Sequence, residues 1–367
     1  MNNDNASKSH QAVLARALAG CVWGAAVGDA LGLPCEGLSP RRIRALFGGV
    51  PDRYRFVFGR GMVSDDTEHT FLVWDALTVS AGNGEAFTRR LAGGLRRWIC
   101  ALPAGVGLAT LRAGLRLVFG VPASRSGVFS AGNGPAMRAT ILGVVCAWDD
   151  DRDRLRDLVS RSSRLTHTDP KAEHGALAVA VCATCFARGE TTPGAVLAAT
   201  LDILPEPDAE ELRGWLSRVA GSVGQTEGTE VFAARHFPDG VSGYVNHTVP
   251  VALHAALSHP ANFHRAVRSV IACGGDTDTI AAITGGIVGA YVGTEGIPEE
   301  WRRGIYEPTG LLANIEERSD DFTTAWRVGI AQTVAPVPYP LAVLRNFVFA
   351  VVVLAHGFRR LLPPYGR

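Results

Sequence analysis

The chain has 367 residues, with 36 lysines and arginines against 35 aspartates and glutamates. That balance excludes an electrostatic nucleic-acid binder, which carries a basic surplus. Hydrophobic content of 47% with 19% charged residues excludes a disordered chain, and the length allows one large domain or two ordinary ones around a real core.

Residues 1–10 are polar and read as a disordered tail. From Gln11 onward Val13, Leu14, Leu18, Cys21 and Val22 recur at helical spacing. A loop with Gly32, Pro34 and Pro40 follows, then a short arginine-rich helix and a turn around Gly48–Pro51. Tyr54, Phe56 and Phe58 suggest a minor hairpin near 52–60. Helical patterns then cover roughly 67–80, 85–100, 107–119, 135–148, 152–165, 170–188, 192–204, 208–222, 248–257, 261–272 and 279–292. Alternating strand patterns are nearly absent, so the expected class is all-α. No fixed-period repeat is found, which argues against a solenoid. Pro336, Pro338 and Pro340 set off an apolar C-terminal helix that ends in Arg359 and Arg360. It is expected to pack on the body, with a partner or dimer contact as its sharper alternative. The domain reading is a tail at 1–10, one domain over 11–335, and a Pro-rich connector and apolar helix over 336–367.

The 7 cysteines are odd in number and scattered through apolar runs, the usage of a reducing compartment. Cys182 and Cys185 have redox or metal spacing, yet they sit in an apolar helical run with no second pair. The first ten residues lack the layout of a signal peptide. The best membrane candidate, Phe347–Ala355, is too short to span. These features predict a soluble cytoplasmic protein without nucleic-acid or membrane partners.

Two acidic clusters could carry chemistry. The first is Gly61-Met62-Val63-Ser64-Asp65-Asp66-Thr67, directly before an apolar helix. One carboxylate caps a helix start, and a second repels the first unless a cation sits between them. The other is Gly274-Gly275-Asp276-Thr277-Asp278-Thr279, also entering a helix. Alternate aspartates in a Gly-opened turn can face one way, as in cation loops, and the glycines let backbone approach a ligand. Four carboxylates meeting in one site need roughly two divalent cations, and all-oxygen ligation selects Mg²⁺, Mn²⁺ or Ca²⁺ over zinc.

With Gly20–Gly32 and Glu36, Ser64–Thr67, Gly132–Arg138, Thr166–Pro170, and Gly274–Thr279 followed by Gly285, Gly289 and Ala290, the chain resembles the ADP-ribosylglycohydrolase family over roughly 15–305. The resemblance implies an all-α orthogonal multi-helix bundle with a central cleft and a binuclear Mg²⁺ site. Carried over, the metal ligands are Ser64, Asp65, Asp66, Asp276, Asp278 and Thr279, with none missing. Glu36 matches a glutamate near the metals and the reacting ribose. Asn133 and Gly134 match a loop lining the ADP-ribose pocket, with Met137 and Arg138 supporting it. His167 matches a histidine near the ligand's phosphates or adenosine, and Gly274 and Gly275 lie on the ligand side. Asp169 before Pro170 reads as an N-cap, and Asp29 as a structural residue that could support the metal site.

The implied function is a Mg²⁺-dependent hydrolase that removes ADP-ribose from modified protein side chains, arginine favoured, by cleaving an N- or O-glycosidic bond. Asp65, Asp66 and Glu36 are the candidate catalytic carboxylates. The alternatives are hydrolysis of a free ADP-ribosyl metabolite, or an immunity protein that blocks an ADP-ribosyltransferase toxin. The Asp65-Asp66-Thr67-Glu68-His69 run resembles a terpene synthase box, but His69 stands where an aspartate is required and no second box occurs. The His-Asp phosphohydrolases are excluded, since no His-Asp dipeptide exists in the chain.

Overall fold

The computed structural model describes residues 2–148 and 151–363. These residues form nineteen α-helices. Among the described residues there is no sheet, only isolated β-bridges. The expected all-α class holds.

Two long apolar helices form the axis: the first helix, Asn2–Gly32, and a later one, Thr277–Val292. Glycines make their close crossing possible. Gly20, Gly24, Gly28 and Gly32 recur every fourth residue on one face of the first helix. A Cβ on them would lie 2.2, 2.1, 2.0 and 2.3 Å from the carbonyl oxygens of Gly289, Gly285, Ala281 and Thr277. Such distances leave room for hydrogen only, so backbone touches backbone along three turns. The acidic turn before Thr277 is thereby brought beside the C-terminal end of the first helix.

Helices Pro170–Ala187 and Val245–Ser258 pack around this pair and carry mostly buried apolar side chains. Cys182 is fully buried, and burial pushes its thiol well above the ordinary range. Its expected role as a small core hydrophobe fits this environment.

Several expectations are corrected. The polar start does not end as a tail at residue 10: the first helix runs back to Asn2, since extending an existing helix adds one hydrogen bond per residue fixed. Met1 lies outside the described residues. The hairpin near 52–60 is a tight turn with a single bridge between Phe56 and Arg60 around a short 3-10 turn. The pattern at 135–148 is broken into Gly134–Met137, Thr140–Val145 and a 3-10 turn at Cys146–Trp148. Asp149 and Asp150, at the end of the stretch before the helix Arg152–Arg164, lie outside the described residues.

The C-terminal helix is Tyr339–Arg359. By length and composition it could cross a membrane, with mean hydropathy 1.9 and only 22% of its most apolar stretch buried; the nine-residue reading undercounted it. One face packs on the body through Arg345, Asn346, Phe349 and His356, while Leu344, Phe347, Val351, Leu354 and Phe358 stand exposed.

Candidate active site

The two acidic clusters, 210 residues apart in sequence, meet at one end of the axial helix pair. Ser64 caps the helix Asp65–Ser80, its hydroxyl accepting from the Asp66 amide at 3.2 Å. Asp29, on the first helix, holds that start from outside. Its Oδ2 accepts from the Ser64 amide at 2.8 Å, the Thr67 amide at 3.2 Å and the Thr67 hydroxyl at 2.5 Å.

One carboxylate oxygen each from Asp29, Asp66 and Asp278 lies within 4.8 Å of the others, and all three residues are buried. Their Oδ1 atoms lack any hydrogen-bond partner. Asp66 uses Oδ2 to accept from Ser64 and from Thr279 at 3.1 Å. Burial, together with mutual repulsion, pushes the carboxyls of Asp65, Asp66 and Asp278 well above the usual range. Burial raises Asp29 to about 6, against the pull of its hydrogen bonds to Thr67 and Ser64. Orphaned buried oxygens crowded this way are costly unless a cation stands among them. The donor set is entirely carboxylate and hydroxyl oxygen, so the residues present fit a hard divalent cation.

Asp65, Asp276, Asp278 and Thr279 also line a cleft of about 560 Å³, together with Glu36, Asn133, Gly134 and His167. Asp66 lies behind them, outside that lining. Glu36 faces the cleft from its rim, where desolvation and then the nearby Asp276 push its carboxyl up to about 7. No arginine or lysine is among the lining residues.

The far wall is a glycine-rich loop. Asn133 donates from Nδ2 to Asp276 Oδ2 at 2.6 Å and to the Thr248 hydroxyl at 3.0 Å, tying this wall to the second acidic turn. His167 seats against it: a Cβ at Gly134 would lie 2.8 Å from the imidazole. Burial first, and then Arg138, push His167 down to about 3, so the ring is neutral. Arg138 itself is fully buried and does not line the cleft. It donates to Ser162 and, at 2.7 Å, to the Thr166 hydroxyl, and it contacts His69 Nδ1 at 3.0 Å. Thr166 in turn meets His167 Nδ1 at 2.9 Å. Arg138 thus supports the pocket wall, as expected; Met137 goes further and lines the cleft.

The two ligand-side glycines differ in role. Gly275 lines the cleft, whereas Gly274 does not. Both adopt positive φ, 67° and 86°, and their backbones are stitched between neighbours. The Gly275 amide donates to Leu38 O at 2.8 Å, its carbonyl accepts from the Gly37 amide at 2.8 Å, and Gly274 O accepts from the Val241 amide at 3.0 Å. A Cβ at Gly275 would lie 2.0 Å from Val241 O. Sequence reasoning missed Thr110, Ser130, Ser242 and Gly243 on the lining. It also undervalued Asp29, which reads as part of an apolar helical run until its neighbour across the axis is known.

Three comparisons with known proteins agree with this geometry. The sequence profile of ADP-ribosylglycohydrolases matches residues 9–330. An uncharacterised protein of Archaeoglobus fulgidus is 31% identical over 305 residues, covering 78% of this chain and 90% of that protein. The ADP-ribosylhydrolase ARH3 of Bos taurus is 29% identical over 215 residues, 51% of this chain and 58% of its own length, and the human protein of that name is 28% identical with the same coverage. The chain therefore spans little more than half the length of these two hydrolases. A solved structure titled ADP-ribosylglycohydrolase-related protein complex superposes with a TM-score of 0.62 at 28% identity, over 85% of this chain and 98% of that one.

Proposed function

This chain belongs to the ADP-ribosylglycohydrolase family of hydrolases, and we propose that it uses two Mg²⁺ ions to release ADP-ribose from a modified protein side chain, arginine preferred. The observation that carries the reading is the group of unpartnered buried oxygens on Asp29, Asp66 and Asp278 at the base of an open cleft. Ser64, Asp65, Asp66, Asp276, Asp278 and Thr279 are the proposed ligands. Bound there, the metals supply Lewis acidity toward ribose hydroxyls and lower the pKa of a water.

The remaining work falls to the chain. Of the three candidate catalytic carboxylates, Glu36 stands on the solvent-exposed cleft rim, outside the proposed ligand set, placed to accept the proton of the attacking water. Asp66 is enclosed and already hydrogen-bonded, so its role is ligation. Asp65 and Asp276 face the cleft, where carboxylates stabilise the positive charge that develops on the ribose. With no cationic side chain on the lining, the diphosphate is held by neutral donors, the hydroxyls of Thr110 and Ser130 and the Gly134 amide, since the Gly132 and Asn133 amides already donate to Ser130 Oγ and Gly243 O. His167, neutral beside that loop, contacts the ADP moiety.

The arginine preference rests on charge. A guanidinium leaving group is cationic, and with Asp65, Asp276 and Asp278 committed to the metals, Glu36 is the carboxylate left on the lining to attract it. The same reading makes the protein a catalyst rather than a blocking partner, because a complete acidic set has no use in an inhibitor. The test is a competition between matched arginine- and serine-linked ADP-ribosyl peptides at one Mg²⁺ concentration. Faster release from arginine is expected. Faster release from serine overturns the linkage preference, and release from neither overturns the proposed activity. Glu36→Gln is expected to lower kcat by roughly 100-fold or more while the Mg²⁺-induced rise in Tm persists.

A further inference from the structure

The segment after residue 330 lies outside the family match, yet its last helix returns to the cleft and touches both loops that supply the site. Arg360 donates from Nη1 to Glu36 O and from Nη2 to Pro34 O, each at 2.8 Å. His356 Nε2 meets the same Pro34 carbonyl at 3.0 Å and stacks edge-on against Phe56. Four turns earlier, the buried guanidinium of Arg345 pairs with Glu68 at 3.0 Å and donates to Val63 O, one residue before Ser64. Between these ends Phe349 packs on Leu33, Phe56 and Met62. Residues 345, 349, 352, 356 and 360 fall on one helical stripe.

We infer that the C-terminal helix is a strap that positions the Glu36 loop relative to the Ser64–Asp66 loop, with Arg360 and Arg345 as positioning residues. The inference rests on the proposed role of Glu36. Its physical basis is that both arginines reach backbone carbonyls of these loops, and that Glu68, the carboxylate Arg345 also pairs with, is not on the cleft lining. They constrain where the loops lie without consuming the side chains that face the cleft. The Glu36 loop is otherwise anchored to its own turn and to Gly275: the amides of Glu36, Gly37 and Leu38 donate to Leu33 O, Gly275 O and Cys35 O, and Leu38 O accepts from the Gly275 amide, while Glu36 and Gly37 are exposed. A loop held mainly from one side opens more readily, and a misplaced proton acceptor lowers kcat steeply.

Arg360 lies toward the surface end of the helix, so Arg360→Ala is expected to fold. Amide hydrogen exchange in the full chain is read at Gly37, Leu38 and Gly275, with core amides of Thr277–Val292 as the internal reference. The expected result is at least tenfold faster exchange at those three amides with the reference unchanged. In parallel kcat should fall about tenfold, with KM and the Mg²⁺-induced Tm rise retained. Arg360→Lys, which keeps one donor, should recover part of both. Unchanged exchange at Gly37 and Leu38 overturns the strap, as does faster exchange with unchanged kcat. If the wild-type chain releases no ADP-ribose from any substrate, the proposed activity fails, while the exchange readout still decides the strap.

Discussion

Gly28 lies so close to Ala281 that a Cβ on the glycine would stand 2.0 Å from the alanine carbonyl oxygen. This contact, one residue before Asp29 and three after Asp278, fixes the separation of two carboxylates that belong to opposite ends of the chain. Gly28→Ala is therefore expected to destabilise the fold by roughly 3 kcal/mol, the scale of overpacking a tight interface. The variant should also lose most of its Mg²⁺-induced rise in Tm. Denaturant unfolding with and without Mg²⁺ checks both. A variant with unchanged stability would show that the helices separate freely at this point.

Removing like charges from the acidic cluster should stabilise the metal-free protein. Asp66→Asn and Asp278→Asn are each expected to hold or raise Tm without metal, abolish turnover, and erase the Mg²⁺-dependent rise that binding linkage produces. Asp65→Asn and Asp276→Asn should abolish turnover likewise. Scanning calorimetry and activity on one preparation read all three effects, and wild-type-like activity in two of these variants would sink the metal site. Asp29→Asn should behave differently. Its Oδ2 accepts three hydrogen bonds from Ser64 and Thr67, so partial loss of this cap lowers Tm even without metal.

Arg138→Met should be among the most damaging single changes outside the cleft. The substitution removes donors to Ser162 and Thr166 and a partner of His69, all buried, at a cost of roughly 3 kcal/mol. Since Thr166 carries the contact to His167, ADP-ribose affinity should fall as well. His167→Ala should lower that affinity with little effect on global stability or on Mg²⁺ binding. Calorimetric titration of ADP-ribose against both variants separates the two effects; unchanged affinity in His167→Ala would make this histidine purely structural.

Acid should unfold the protein partly through His254. The ring is fully buried, between the hydroxyls of Ser222 and Thr229 and stacked on Phe232. Burial lowers it from 6.5 to about 4. The folded-state pKa is depressed, so the unfolded chain binds the extra proton in this window. The stability contribution is complete above about 6.5 and is lost as pH falls toward 4. The full loss is roughly 3 kcal/mol. His254→Gln should be less stable at pH 7.5 but show a shallower decline between pH 6.5 and 4.5, measured by urea unfolding. An identical slope in both proteins would place the acid sensitivity elsewhere.

Most helices were legible because the spacing of apolar residues follows the helical period: the ranges expected near 67–80, 170–188 and 279–292 appear as Asp65–Ser80, Pro170–Ala187 and Thr277–Val292. The acidic clusters were legible for an electrostatic reason, since adjacent carboxylates beyond what a cap needs must have a counter-charge. Thr229–His236, Glu299–Gly304 and Ile315–Arg327 were missed. They are short or charged segments whose helical state depends on packing, which local pattern records poorly.

What the sequence alone determined was the helical class, the two acidic clusters and the family resemblance. Only the tertiary structure decided which carboxylates share a point in space, that Asp66 is enclosed while Glu36 faces the cleft, and that the last helix returns to hold both loops. The reason is physical. Helical period and charge repulsion act between residues near one another in the chain and leave a local trace. The approach of Asp29 to Asp278 is set by glycine backbones on two helices some 250 residues apart, and a glycine looks the same in sequence whether a carbonyl oxygen or open water lies beside it.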